Sequence, residues 1–265
     1  MGRALEILTG HVTAPSTTFT AWTMAAGNSL TIRNAPLEKK VSLLQAWADN
    51  QGAGTLRIRS PRLHDNVQGI RLDITASDPV PLLAKGIPQV LIPQDTLIAE
   101  HTGSATSGDI ETGCLLVYYE DLPGVDAKFI DLDTLKRRLR HVFTVENTLA
   151  LGTAGGYSGE EAINAQFDLF KANTEYALLG YLADVECACV RWRGADTGNL
   201  GIGGPGNETL RNETRQWFIQ LTEVSGLPLI PVFNSANRAG ILIDGAQDEN
   251  GADVTVTSIF AELGV

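Results

Sequence analysis

A chain of 265 residues can bury one large core or two ordinary ones without disulfide or metal staples. Apolar residues at 43%, charged residues at 19%, and 27 Gly with 11 Pro scattered along the chain describe a folded, turn-rich, β-rich protein. The formal net charge of −11 argues against a surface built to grip nucleic acid, and three cysteines are too few for a disulfide framework.

The opening MGRALEIL has no apolar core followed by a small-residue cleavage site, and no run approaches the roughly 20 apolar residues of a membrane span. The expectation is a chain neither secreted by a standard signal nor membrane-spanning. Glu6 stands where a myristoylation motif wants Ser or Thr. The odd number of cysteines leaves a thiol free in any monomer and points to a reducing compartment at assembly.

Past the N-terminus the chain repeats itself. LLQAWAD (residues 43–49) returns as LLGYLAD (178–184), and Arg57-Ile58-Arg59 as Arg191-Trp192-Arg193. Asn66 leading to Gly69-Ile70 returns as Asn199 leading to Gly201-Ile202. Val80-Pro81-Leu82-Leu83 is matched by Leu227-Pro228-Leu229-Ile230, and GDIETGCLLVYYEDL (108–122) by GADVTVTSIFAEL (251–263). Five short matches in one order indicate one fold present twice. The second copy inserts GGPGNETLRNETRQW, residues 203–217, which is expected on a surface loop.

TLRIRS, GIRLDITA, ECACVRWR, RQWFIQLTEV and DVTVTSIFAEL alternate or concentrate β-formers and predict strands. Between the copies, Leu132, Leu135 and Leu139 in DLDTLKRRLRHVF recur at helical spacing, with Asp131 or Asp133 to cap the start. Lys136, Arg137, Arg138 and Arg140 make the one dense basic run, well placed for the helix macrodipole. The helix-forming composition of EEAINAQFDLFKANTEYALLGYLAD competes with the repeat, and the repeat predicts strand for its end.

No chemistry assembles from these elements. His11, His64, His101 and His141 are not paired at the spacing of a metal-ligand set, so non-haem catalysis of the two-domain cupin type is not expected. Cys187 and Cys189 share a strand face and read as small buried hydrophobes before they read as a metal or redox pair. Gly156-Tyr157-Ser158-Gly159 lacks the spacing of a nucleophile elbow and predicts a turn. Gly201-Ile202-Gly203-Gly204-Pro205-Gly206 lacks the Gly-Lys-Ser/Thr of a phosphate loop and predicts a flexible surface loop. Asn207-Glu208-Thr209 and Asn212-Glu213-Thr214 match the glycosylation pattern but are expected unused. The acids Asp244, Asp248 and Glu249 with Asn250 are a polar hairpin tip before they are a calcium site. No catalytic residue, cofactor or metal ligand is assigned.

The paired landmarks, the intervening helix DLDTLKRRLRHVF and the final strand resemble the double jelly-roll major capsid proteins of tailless icosahedral viruses, the corticovirus and tectivirus-like lineage. The resemblance implies an all-β fold of two tandem eight-stranded antiparallel jelly rolls joined by a short helix. It implies an N-terminal arm at 1–25 that orders on assembly, a first jelly roll at 26–126, a linker with helix at 127–145 and a second jelly roll at 146–265. It further implies a non-enzymatic capsid subunit, made in the host cytoplasm and resident in the virion, whose homotrimers form pseudo-hexameric capsomers. The implied partners are neighbouring capsomers, penton and minor capsid proteins, and an internal membrane reached through Lys136, Arg137, Arg138 and Arg140, with no direct nucleic-acid binding. The inserted loop at 203–217 would lie on the outer or inter-capsomer surface. The alternative is a tandem β-sandwich carbohydrate-binding or adhesin module, for which Trp22, Trp47, Trp192, Trp217, Tyr118 and Tyr119 are the candidate sugar-stacking aromatics. A degenerate two-domain cupin ranks behind both.

Overall fold

The computed structural model describes residues 2–63, 66–75, 79–84, 86–150, 154–206, 210–246 and 253–264. The first half contributes β1 (Ala4–Thr13), β2 (Thr20–Ala21), β3 (Thr23–Met24), β4 (Val41–Asp49), β5 (Gly54–Arg59), β6 (Ile70–Ile74), β7 (Gln89–Leu91), β8 (Ile98–Thr102) and β9 (Ile110–Tyr119). They make a five-stranded sheet, β3-β1-β9-β4-β7, and a four-stranded sheet, β2-β8-β5-β6. After β10 (Phe129–Ile130) and α1 (Leu132–Arg138), the second half adds β11 (Leu139–Ala150), β12 (Glu161–Ala162), β13 (Glu175–Ala183), β14 (Cys187–Arg193) and β15 (Ile202–Gly206). Helices α2 (Arg211–Thr214) and α3 (Trp217–Ser225) precede β16 (Ile230–Asn234), β17 (Leu242–Ala246) and β18 (Asp253–Leu263). These strands form the sheets β10-β16-β13-β18-β11 and β12-β17-β14-β15.

The described residues are therefore mostly β, in four antiparallel sheets. Without β3 and β10, the strand orders of the two halves correspond position by position: β1-β9-β4-β7 with β11-β18-β13-β16, and β2-β8-β5-β6 with β12-β17-β14-β15. The correspondence extends to registers. LLQAWAD lies on β4 and LLGYLAD on β13, and both strands break register against their neighbour at the second Leu, between Leu43 and Gln45 and between Leu178 and Gly180. Ile58 pairs with Ile70 as Trp192 pairs with Ile202. The Val80-Pro81 step is the exception: β7 begins only at Gln89, whereas the Leu227-Pro228 step leads directly into β16.

Four sequence expectations give way. Residues 4–13, expected in an arm, form β1, which pairs with β9 over its whole length and is almost wholly buried. ALEILTGHV has apolar residues on both faces, and both faces are covered. Its counterpart is β11, so the predicted helix stops at Arg138 and Leu139 opens a strand. RQWFIQLTEV contains α3, because Trp217, Phe218, Leu221 and Thr222 are buried at helical spacing. Gly203-Gly204-Pro205-Gly206 is no surface loop but the end of the buried strand β15, so the insertion is strand at its start and helix at its end. The strand expected in LLGYLAD is present as β13, and α1 starts on Asp131, whose side chain accepts from the Thr134 amide at 2.7 Å.

Side-chain alternation divides the core. On β9, Leu115, Val117 and Tyr119 pack with Leu8, Leu43, Leu56 and Ile58 inside the first half. Cys114, Leu116 and Tyr118 point the other way and join Leu5, Ile7 and Trp47 in the cluster that holds the second half's Trp192, Tyr181 and Phe260. β9 is therefore buried on both faces, as its unbroken apolar run CLLVYY requires.

Candidate functional site: the seam between the two β units

The region where chemistry-bearing residues of both halves meet is a seam. One side is the outer face of β1, β9 and β4, and the other is the outer face of β14 and β15. Small residues meet across it, Thr9 against Cys189 and Cys114 against the Ala188 carbonyl. The strands β9 and β14 come within 8 Å of one another from Cα to Cα.

Directed bonds set the docking angle. The Trp47 indole N–H donates to the Ala188 carbonyl at 2.6 Å, and the Ile7 amide donates to the Gly201 carbonyl at 2.9 Å. The rings of Trp47 and Trp217 meet edge to face at 6.2 Å. Asn28 Oδ1 accepts from the Thr9 amide at 2.6 Å and from the Tyr157 hydroxyl at 2.7 Å, and His11 Nδ1 donates to the Gly155 carbonyl at 3.2 Å.

Charge inside the seam is paired. Arg191 on β14 makes two bonds to Asp244 on β17, at 2.6 and 2.7 Å, and its guanidinium lies over the Tyr157 ring at 3.1 Å from the centroid. Burial disfavours the Arg191 charge, but the bonds to Asp244 outweigh it and hold the guanidinium above its ordinary pKa. The first unit has the same pair at the same register: Arg57 and Arg59 on β5 bind Glu100 on β8 at 2.7 and 2.9 Å. Burial pushes the Glu100 carboxyl up, and the bonds from Arg59 and Arg57 more than reverse this. The repeated Arg-x-Arg is thus a repeated cross-strand ion pair, buried in the seam in one unit and covered in part by the Phe19 ring over Arg57 in the other.

Beside Arg191 lie two thiols from different halves. The Thr9 hydroxyl is 3.4 Å from Cys114 Sγ and 3.8 Å from Cys189 Sγ, and both thiols are fully buried. Burial raises the Cys114 pKa, while the hydrogen bond from Cys114, with the Arg191 charge nearby, lowers that of Cys189. Sequence spacing pointed to Cys187 with Cys189. The partner of Cys189 across the seam is Cys114, and no local pattern carries that signal.

The comparisons with known proteins belong beside this geometry. No family model matches the chain, and no curated protein does. The chain has a weak structural likeness to two phage proteins. One is the PBSX exported protein XepA, at 11% identity over 97% of this chain and 86% of that one, with a TM-score of 0.28. The other is the major capsid protein P2 from bacteriophage PM2, at 5% identity over 99% and 98% of the two chains, with a TM-score of 0.23.

The remaining candidates are dispersed. His101 accepts from the Trp22 indole at 3.1 Å inside the first unit, and His141 stacks on Phe143. Gly156-Tyr157-Ser158-Gly159 is not the expected turn: Tyr157 bridges Ala246, the Ser158 amide donates to the Gly245 carbonyl at 2.7 Å, and the Ser158 hydroxyl accepts from the Gly245 amide at 3.1 Å, so the segment runs alongside β17. Thr214 of the second glycosylation pattern is buried in α2, and Asp244 of the acidic group is committed to Arg191. His64, Asn207-Glu208-Thr209, Asp248, Glu249 and Asn250 lie outside the described residues. Trp22, Trp47, Trp192, Trp217, Tyr118 and Tyr119 are all buried, so none offers a ring face to a sugar. On α1 and β11, Arg138 bonds Glu175 and the Gly264 carbonyl, while Lys136, Arg137 and Arg140 are exposed.

Proposed function

We propose that the chain is a structural subunit of a virus shell. In this reading each half is an eight-stranded jelly roll. Three chains associate head to tail into a homotrimer of six similar β units, a pseudo-hexameric tile of an icosahedral capsid. The strand orders, repeated in both halves and each split into two four-stranded groups, support the jelly-roll reading.

The observation that carries the assembly reading is the polarity of the seam. Two like units are joined through unlike faces, the larger sheet of the first against the smaller sheet of the second. Such a contact leaves one free face of each kind and either closes into a ring or runs on as a filament. The free face of the second unit bears the marks of a surface awaiting its partner. Val142 is 47% exposed at the register position where Leu5 is fully buried, and Leu182, Thr257 and Ile259 stand where Trp47, Cys114 and Leu116 stand in the seam. Glu146 occupies the position of Thr9 and supplies an acid to set against Arg57, Arg59 and Arg71 on the free face of the first unit. Three chains repeating this contact complete a six-unit ring.

In the same reading the protein resides in the virion and meets neighbouring capsomers, penton and minor capsid proteins. The exposed Lys136, Arg137 and Arg140, with Arg138 behind them, face an anionic internal membrane. An adhesin role has no comparable support, because the aromatics it needs are buried.

Light scattering with negative-stain imaging of the chain, concentrated in salt, tests the proposal. Trimers of hexagonal outline, or shells built from them, are expected, and Ile259→Glu should leave a folded monomer. A wild-type chain that stays monomeric at high concentration overturns the reading.

A further inference from the structure

We propose that Cys114 and Cys189 are a redox pair that forms a disulfide across the seam and locks the two β units together covalently. The inference holds whether or not the chain builds a shell. It rests on three geometric facts. The two sulfurs flank a single hydroxyl, that of Thr9, at 3.4 and 3.8 Å. They belong to β9 and β14, strands of different halves that come within 8 Å of one another from Cα to Cα across the seam. Neither faces its own unit's core, since Cys114 alternates with the core-facing Leu115 of the first half and Cys189 is turned toward Thr9.

The chemistry is asymmetric in a productive way. The hydrogen bond from Cys114 that lowers the Cys189 pKa exists only once the halves have docked, but Arg191 lies on the same strand and favours the Cys189 thiolate beforehand, so Cys189 is the attacking sulfur. With a small disulfide such as oxidised glutathione, the Cys189 thiolate displaces one glutathione thiolate to give a mixed disulfide. Cys114, giving up its proton, then displaces the second. Two protein thiols are oxidised, one glutathione disulfide is reduced to two thiols, and two protons leave the protein. Because both sulfurs are fully buried once the seam has closed, the exchange takes place as the halves dock during folding. A protein made in a reducing compartment would keep the thiols, and one that folds or reopens in an oxidising medium would gain the bond.

Cys187 is the internal control. It shares β14 with Cys189 but lies against Gly206 of its own sheet, so it takes no part in the bond. The test is refolding of the full chain from urea in oxidised and reduced glutathione, against a parallel sample in dithiothreitol. Soluble protein is then alkylated, digested without reduction and analysed by mass spectrometry. The expected product is one peptide pair linked through Cys114 and Cys189 with Cys187 alkylated. The oxidised protein should melt about 5–10 °C above the reduced one, a difference abolished by dithiothreitol. Cys187→Ser should retain both the link and the shift, and Cys114→Ser should lose both. Full alkylation of all three cysteines in the folded oxidised protein, or a link that includes Cys187, overturns the proposal. The wild-type peptide map decides the matter even if a variant fails to fold.

Discussion

The Trp47 indole N–H donates to the Ala188 carbonyl at 2.6 Å, so a side chain from the first β unit satisfies a backbone group in the second. Trp47 also meets Trp217 edge to face and is fully buried. Trp47→Ala should cost about 3–5 kcal/mol, and Trp47→Phe, which keeps most of the volume but orphans the carbonyl, about 1–3 kcal/mol. In urea, fluorescence and circular dichroism should report coincident transitions for the wild type. The alanine variant should separate them as the halves uncouple. Coincident transitions in that variant would mean that the seam does not depend on this anchor.

Arg191 and Asp244 answer to the rules for buried pairs. Asp244→Ala leaves a guanidinium in a closed site and should cost about 3–5 kcal/mol, whereas the double change Arg191→Met with Asp244→Leu should cost much less. The same pair of changes at Arg57 and Glu100, where the Arg57 and Arg59 guanidiniums keep more solvent contact than that of Arg191, should show a smaller penalty. Denaturant midpoints of the four proteins measure the contrast.

His101 gives the stability a pH dependence. It is fully buried, accepts the Trp22 indole proton on Nδ1, and burial pushes its pKa down to about 3. The unfolded imidazole takes up a proton as pH falls through about 6.5, while the folded one stays neutral until about 3. The contribution is complete above the unfolded value and is lost as pH falls through the interval, by about 1.4 kcal/mol per pH unit. Between pH 6 and 5, His101→Gln should flatten the slope of stability by about that amount while keeping an acceptor for Trp22. An unchanged slope would show that His101 is not the group responsible.

The glycines of β15 let it pack closely against the rest of the second unit. A methyl group at Gly204 would collide with the Trp217 ring and the Tyr181 hydroxyl, the latter held by the Pro205 carbonyl at 2.8 Å. Gly204→Ala should therefore destabilise by about 1–3 kcal/mol through overpacking. Gly159→Ala, where the space is open, should be nearly neutral. Thermal melts of the two variants separate the cases.

Much of the architecture is legible in the sequence because a duplicated β unit repeats the residues that its strand registers demand. LLQAWAD and LLGYLAD mark equivalent strands with equivalent bulges, and the two Arg-x-Arg steps mark equivalent ion pairs. The contrast between GCLLVYY and TVTSIF carries information too. Both segments hold the same place in their sheets, but the first is covered on two faces and the second on one, so only the second alternates.

What the sequence by itself determined is the β class, the duplication and the position of the linking helix, since these rest on local periodicity and on residues compared along the chain. The tertiary structure alone decided that residues 4–13 are a central strand, that the glycine run is a buried strand, and that RQWFIQLTEV coils into α3. It alone decided which sheet of one unit meets which sheet of the other, and so brought Cys114 to Cys189 and Trp47 to Ala188. The reason is physical: strand propensity and alternation describe how a segment presents its own two faces. What covers those faces depends on side chains distant along the chain, selected by shape and by the need to satisfy buried polar groups.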